Sequence, residues 1–167
     1  TVAKLEFESV TPPLADGTYV ILAKKDDVYY AMKSTHEANK DRLDEVEFDI
    51  NADETHIASA VWNLKNVEGA KYEITNSNKY LTAANDNNAN IGDAKTEMKI
   101  VDNGDETFQI IDVETLRNLS RNNSSLGFAF YATTSQNYNL YLKAVTYVEM
   151  PELQAPVISV TGNNEDM

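Results

Sequence analysis

Two separate stretches of this chain carry the same phrase. Trp62-x-Leu64 is followed by Tyr72-x-Ile74, ten residues from Trp62 to Tyr72, and Met98-x-Ile100 is followed by Phe108-x-Ile110 at the same ten-residue offset. Each pair is joined by a Gly-bearing polar turn, Asn66-Val67-Glu68-Gly69 in one and Asp102-Asn103-Gly104-Asp105 in the other. Apolar residues two apart, bounded by such turns, describe half-buried antiparallel strands, because successive side chains leave a strand on opposite faces. A third copy is split between distant parts of the sequence: Tyr19-x-Ile21 lacks a preceding partner and Leu140-x-Leu142 lacks a following one. A shorter strand follows each opening strand, at Tyr29-Tyr30, at Tyr80-Leu81 and, most degraded, at Asn118-Leu119. Three units therefore start near Tyr19, Tyr72 and Phe108 and close near Leu64, Ile100 and Leu142. A period of roughly 35–50 residues implies units that bury their apolar faces only against one another.

The remaining segments are arranged around that repeat. Residues 1–15 hold the short alternating run Leu5-Glu6-Phe7 and then Pro12-Pro13, which reads as an extended N-terminal segment. Thr18 to Ala23 is a strand, Lys24 to Asp27 a polar turn and Val28 to Met32 the return strand, so 18–32 is a hairpin. Ser34 to Ser59 is long and acidic. Within it Val46-Glu47-Phe48-Asp49-Ile50 alternates as a strand, whereas a short helix over 36–45 has no clear apolar stripe. The repeats occupy a domain over 16–148. Residues 149–167 begin with a Pro-punctuated linker, Met150 to Pro156, and Val157 to Val160 then opens a strand with no partner. That strand is expected to start a following module, or to be a swapped or docked edge strand.

The W-x-hydrophobic, Y-x-I and K-Y-L phrasing resembles the ricin-B-like and related branches of the β-trefoil, over about 16–146. The resemblance implies an all-β fold, three four-stranded units around a pseudo-threefold axis, with N- and C-terminal extensions. A sandwich or barrel of eight to ten strands without threefold symmetry is the competing architecture. Arg117 to Leu142 also resembles the last repeat of β-rich modules on secreted and surface proteins of gut Bacteroidetes. It matches through Phe128-Ala129-Phe130-Tyr131-Ala132-Thr133-Thr134 and the closing Tyr138 to Leu142. That second resemblance implies an accessory, surface-exposed role.

Charge narrows the partners. With 14 Lys and Arg against 27 Asp and Glu, the formal net charge is −13, and the cations are scattered among the acids. Such a surface repels phosphate backbones and anionic lipid, so nucleic acid is not an expected partner. The chain has no cysteine, which excludes disulfides, thiolate metal sites and a Cys nucleophile. No apolar run approaches the roughly 18–20 residues of a transmembrane helix. The sequence begins at Thr1 with no charged-then-apolar leader, so any targeting signal is expected to lie outside it.

Catalytic arrangements are poorly represented. The two histidines, His36 and His56, lie in the acidic region and neither accompanies a Gly-bounded nucleophile. Carboxylate pairs abound between Asp41 and Glu54, but in so acidic a chain chance proximity accounts for them. Asp86, Asn88 and Asn90, with Glu97 eleven residues after the first, match four oxygen positions of a Ca²⁺ loop. Ile91 stands where the sharp turn demands Gly, and Gly92 comes one residue late, so a solvated Asn-rich turn is the expectation and no metal or cofactor is assigned. A sugar site on a trefoil would use an aromatic platform with Asp and Asn side chains. Ricin-type sites carry Gln two before the repeat Trp, and here that place is Ala60. Tyr30, Tyr131, Tyr138, Asn137 and Asn139 are the remaining ligand-binding candidates. The sequons at Asn118, Asn122 and Asn123 would be glycosylated only in a suitable host. The expected function is a non-catalytic module of a larger secreted or cell-surface protein, binding glycan or serving adhesion. The alternative is a spacer or protein-interaction domain that positions a neighbouring catalytic domain of the same polypeptide.

Overall fold

The computed structural model describes residues 4–53, 57–122, 127–132 and 139–148. Strand β1 (Lys4–Ser9) precedes three four-stranded repeats. The first comprises β2 (Gly17–Lys25), β3 (Val28–Met32), β4 (Glu45–Glu47) and β5 (Trp62–Glu68). The second comprises β6 (Lys71–Asn76), β7 (Lys79–Thr82), β8 (Asn90–Gly92) and β9 (Met98–Asp102). The third comprises β10 (Phe108–Asp112), β11 (Asn118–Arg121), β12 (Phe128–Tyr131) and β13 (Tyr141–Val148).

The register shows why the phrase recurs. Between successive repeats, Leu64 stands opposite Ile74 and Ile100 opposite Ile110, and the split copy is completed by Leu142 opposite Ile21. Within each repeat, Tyr19 stands opposite Trp62, Tyr72 opposite Met98 and Phe108 opposite Leu140. These six contacts join β13, β2, β5, β6, β9 and β10 into a closed barrel. All twelve residues belong to one buried cluster. Closure leaves those strands no free edge. The remaining strands pair as β3–β4, β7–β8 and β11–β12 and cap one end. Met32, Leu81 and Leu119 fill equivalent cap positions, as do Leu43, Ala89 and Phe128, all fully buried. A small Ala89 between Leu43 and the large Phe128 shows volume traded around the axis rather than repeated. This is a β-trefoil, with Trp62, Met98 and Leu140 in equivalent places.

The first repeat departs from threefold symmetry. Its β2–β3 hairpin continues two residue pairs past Ala23, to Lys25 opposite Val28, whereas β6–β7 ends at Asn76 opposite Lys79. Asp26 and Asp27, like Ser77 and Asn78, both have positive φ, the backbone that two-residue hairpin turns require. The connection from β4 to β5 spans residues 48–61, while that from β8 to β9 spans only 93–97. The N-terminal segment also joins the sheet, with β1 pairing along β13 from Lys4 opposite Val148 to Ser9 opposite Lys143. Together β1 and the 48–61 connection cover the outer face of β2. There Leu5, Ala52, Ile57 and Val145 enclose Val20 and Leu22 in a second apolar cluster. Asn76 pins this layer, donating from Nδ2 to the carbonyls of Ala58 (3.2 Å) and Val61 (2.8 Å) and accepting from the Ser34 hydroxyl (3.0 Å).

One local expectation is corrected. The strand expected over Val46 to Ile50 ends at Glu47, because Asp49 turns the chain. Its side chain accepts from Asn51 N–H (2.8 Å) and its carbonyl from Ala52 N–H (2.9 Å). No helix forms over 36–45. The loop instead folds around the Asp44 carboxylate, which accepts from the N–H groups of Glu37 (2.7 Å) and Ala38 (2.9 Å) and from the Thr35 hydroxyl. Burial opposes ionisation of Asp44, but those donors, with Lys33 nearby, outweigh it and hold the carboxyl below the ordinary aspartate range. A depressed folded-state pKa means that its stabilisation is complete above the unfolded value of about 3.9 and is lost as pH falls through the folded one. Asp44→Asn is therefore expected to cost about 1–3 kcal/mol at pH 7 in urea titrations. The gap from the parent should narrow below about pH 4.

Candidate functional site

The asymmetric layer on the first repeat carries an open groove of about 660 Å³, lined by Tyr29, Glu47, Phe48, Asp49, Ile50 and Lys143. Its volume falls within the roughly 300–1,000 Å³ typical of small-ligand sites. Tyr29 comes from the extra length of the β2–β3 hairpin, and Phe48, Asp49 and Ile50 from the long connection after β4. Lys143 projects from β13 between the inward Leu142 and Ala144. The two principal walls are tied by Phe48 N–H donating to the Tyr29 carbonyl at 2.8 Å.

The rings are fixed by edge-to-face packing. Tyr29 meets Tyr141 at 5.2 Å between centroids and 85° between planes, and Phe48 meets Phe7 at 4.8 Å and 84°. Such contacts add about 0.5–1.5 kcal/mol beyond area burial and hold ring orientation. Lys24 lies 5.6 Å from the Tyr29 centroid and also approaches Asp27 at 3.7 Å. Ile50 is 62% exposed at the rim. The groove thus offers aromatic and aliphatic surface for C–H groups, two carboxylates that accept from hydroxyls, and one ammonium that donates.

Of the ligand-binding candidates singled out by sequence, the described ones, Tyr30, Tyr131 and Asn139, do not line this groove. Tyr131 is only 5% exposed, so it is no open platform. Its hydroxyl accepts from Asn122 Nδ2 (2.8 Å) and Arg42 Nε (3.4 Å). Tyr30 is half-buried, with the Arg121 guanidinium 4.2 Å from its ring centroid, and that guanidinium forks onto Glu45 at 2.9 and 2.8 Å. Asn139 belongs with the β9–β10 turn, where its Oδ1 accepts from Asn103 Nδ2 at 3.3 Å. Asn137, Tyr138 and His56 lie outside the described residues. His36 bridges two loops, its Nε2 lying 3.1 Å from Asn90 Oδ1 and its Nδ1 3.2 Å from the Asn39 carbonyl.

The Asn-rich loop spends its oxygens locally. Asp86 Oδ1 accepts from Asn87 N–H, Asn88 Oδ1 from Ala84 N–H and Asn90 Oδ1 from Ile91 N–H. Glu97 lies beyond β8, beside the approach to β9, in a small cleft with Lys95 and Asp112. Ala89, between Asn88 and Asn90, is fully buried in the cap, whereas Asp86 and Asn87 are both exposed. Among the described residues, no group of three or more His, Asp or Glu side chains is placed to hold a metal ion.

One signal in the sequence pointed to the groove. Thr18-Tyr19-Val20-Ile21-Leu22-Ala23 is apolar without alternation, unlike Lys71-Tyr72-Glu73-Ile74-Thr75-Asn76, so both faces of β2 had to be covered. The covering elements are the ones that build the groove. Of the adjacent Tyr29 and Tyr30, alternation sends only one toward it, and the register that decides which was not readable.

No family model matches the chain, and no curated protein aligns with it at a significant level. Solved structures do resemble it. The designed threefold-symmetric protein ThreeFoil superposes with a TM-score of 0.57 at 17% identity, covering 76% of this chain and 98% of ThreeFoil. The BEL β-trefoil gives 0.57 at 16% identity, covering 84% and 99%. SeviL, solved bound to asialo-GM1 saccharide, gives 0.55 at 10% identity, covering 77% and 97%. At such identities the likeness is one of fold, and it agrees with the threefold register.

Proposed function

We propose that this chain is a non-catalytic carbohydrate-binding module and that saccharide binds in the Tyr29–Phe48 groove. The observation that carries the reading is the departure from symmetry. A longer hairpin, a longer connection and an added strand converge on one repeat and frame an aromatic groove with hydrogen-bonding groups at its edge. Fold likeness to SeviL supports the ligand class as analogy only. The reading is non-catalytic because Glu47 and Asp49 come from one short stretch on one wall, whereas glycosidic cleavage places two carboxyls on either side of the scissile bond. The wider setting we propose is an accessory domain of a secreted or surface protein, which the partial likeness of Arg117 to Leu142 to such modules supports. Among the described residues no helix is long and apolar enough to cross a membrane.

A glycan array followed by calorimetry tests the proposal. Binding is expected, with Tyr29→Ala weakening it at least tenfold, since loss of an aromatic platform removes roughly 1.4 kcal/mol or more. Tyr147→Ala, at a 46%-exposed tyrosine outside the groove, should leave affinity unchanged. Silence across the array would favour the spacer or protein-interaction role instead.

A further inference from the structure

Resting on that reading, we infer that the groove takes neutral saccharide chains and discriminates against sialylated or sulfated ones. Its lining carries two carboxylates, Glu47 and Asp49, against the single ammonium of Lys143, on a protein whose formal net charge is −13. An anionic sugar entering it meets like charge at contact range and from the surrounding surface within a Debye length, about 8–10 Å at ordinary salt.

The groups best suited to holding an acidic sugar are engaged elsewhere. A guanidinium fork grips carboxylate or sulfate through two parallel hydrogen bonds. Arg121 forks onto Glu45, Arg117 donates to Asn87 at 2.9 Å and Arg42 to Tyr131, and none of them lines the groove. Carboxylates accept hydrogen bonds and cannot donate them, so Glu47 and Asp49 suit the hydroxyls of an uncharged sugar. Tyr29 and Phe48 suit its C–H faces.

The test compares oligosaccharides of one neutral backbone with their sialylated and sulfated forms, by calorimetry on the full chain at 20 and 300 mM NaCl. The neutral form should bind with nearly equal affinity at both salts. Each acidic form should bind at least tenfold more weakly at 20 mM, and the penalty should shrink at 300 mM. Lys143→Ala, which removes the ammonium from the lining, should deepen the penalty on the acidic forms at 20 mM. Acidic forms binding as well as neutral ones, with Lys143→Ala abolishing that binding, would overturn the charge inference while leaving the groove as the site. A penalty unchanged by salt would overturn it too, pointing to shape rather than charge. Absence of any saccharide binding would remove both this inference and the reading beneath it.

Discussion

Gly127→Ala should unfold the cap that joins the first and third repeats, at a cost of roughly 2–5 kcal/mol. Gly127 has a φ of +99°, where an L-residue is strained. Space forbids the substitution as well: a Cβ there would overlap the Leu43 carbonyl oxygen and stand 3.0 Å from its carbon. Both atoms are backbone, so no rotamer change relieves the contact. The next residue, Phe128, exchanges two backbone hydrogen bonds with Leu43, at 2.8 and 3.0 Å, and moving either strand breaks them. In a domain of this size the expected fall in melting temperature is about 5–15 °C. Gly69→Ala is the control. Its φ is +54° but nothing lies within 4 Å of the added carbon, so it should cost only about 1 kcal/mol. Equal costs for the two variants would show that close approach to Leu43 does not matter.

Trp62→Ala should cost about 3–5 kcal/mol, the range for truncating a large aromatic in a packed core. Trp62 is fully buried opposite Tyr19, and its indole N–H donates to the Met32 carbonyl at 2.9 Å, linking barrel wall to cap. Truncation leaves a cavity and an unsatisfied buried carbonyl together. Trp62→Phe keeps most of the packing and loses only the donor, so it should fall near 1–3 kcal/mol. Trp62 is the chain's single tryptophan, so unfolding must be followed by far-UV circular dichroism rather than indole fluorescence. Because Met98 and Leu140 occupy the equivalent places, their alanine variants should cost about 2–5 kcal/mol each. Near-neutral behaviour at any of the three would contradict a shared interior.

These core positions were legible before any coordinates. Ten-residue spacing from Trp62 to Tyr72 and from Met98 to Phe108 reports strand length plus turn, and a barrel of equivalent units reuses both. The split copy was legible for the same reason, because Tyr19-x-Ile21 and Leu140-x-Leu142 each supply half of a pair. The caps were harder. Met32, Leu43 and Ala89 sit in strands of a few residues or beside them, too short to display a period of two.

The site was less legible because exposure depends on contacts far apart in sequence. Tyr131 lies in the wholly buried β12, yet nothing within Phe128 to Tyr131 distinguishes a platform from a covered ring. Tyr30 is covered by Arg121, 91 positions away, and Tyr29 is oriented by Tyr141. Asp86, Asn88 and Asn90 mimicked a cation loop by spacing alone: only Asn88 and Asn90 flank an inward residue, Ala89, while Asp86 and Asn87 are both exposed.

The split third copy bears on how the molecule is made. Pairing of β13 with both β1 and β2 joins the earliest strands of this domain to the last described one. On the ribosome, Tyr19 and Ile21 must wait for Leu140 and Leu142 to emerge before the barrel can seal. Until then the nascent chain holds β2, apolar on both faces, without its final neighbour, and so depends for solubility on the acidic residues around it.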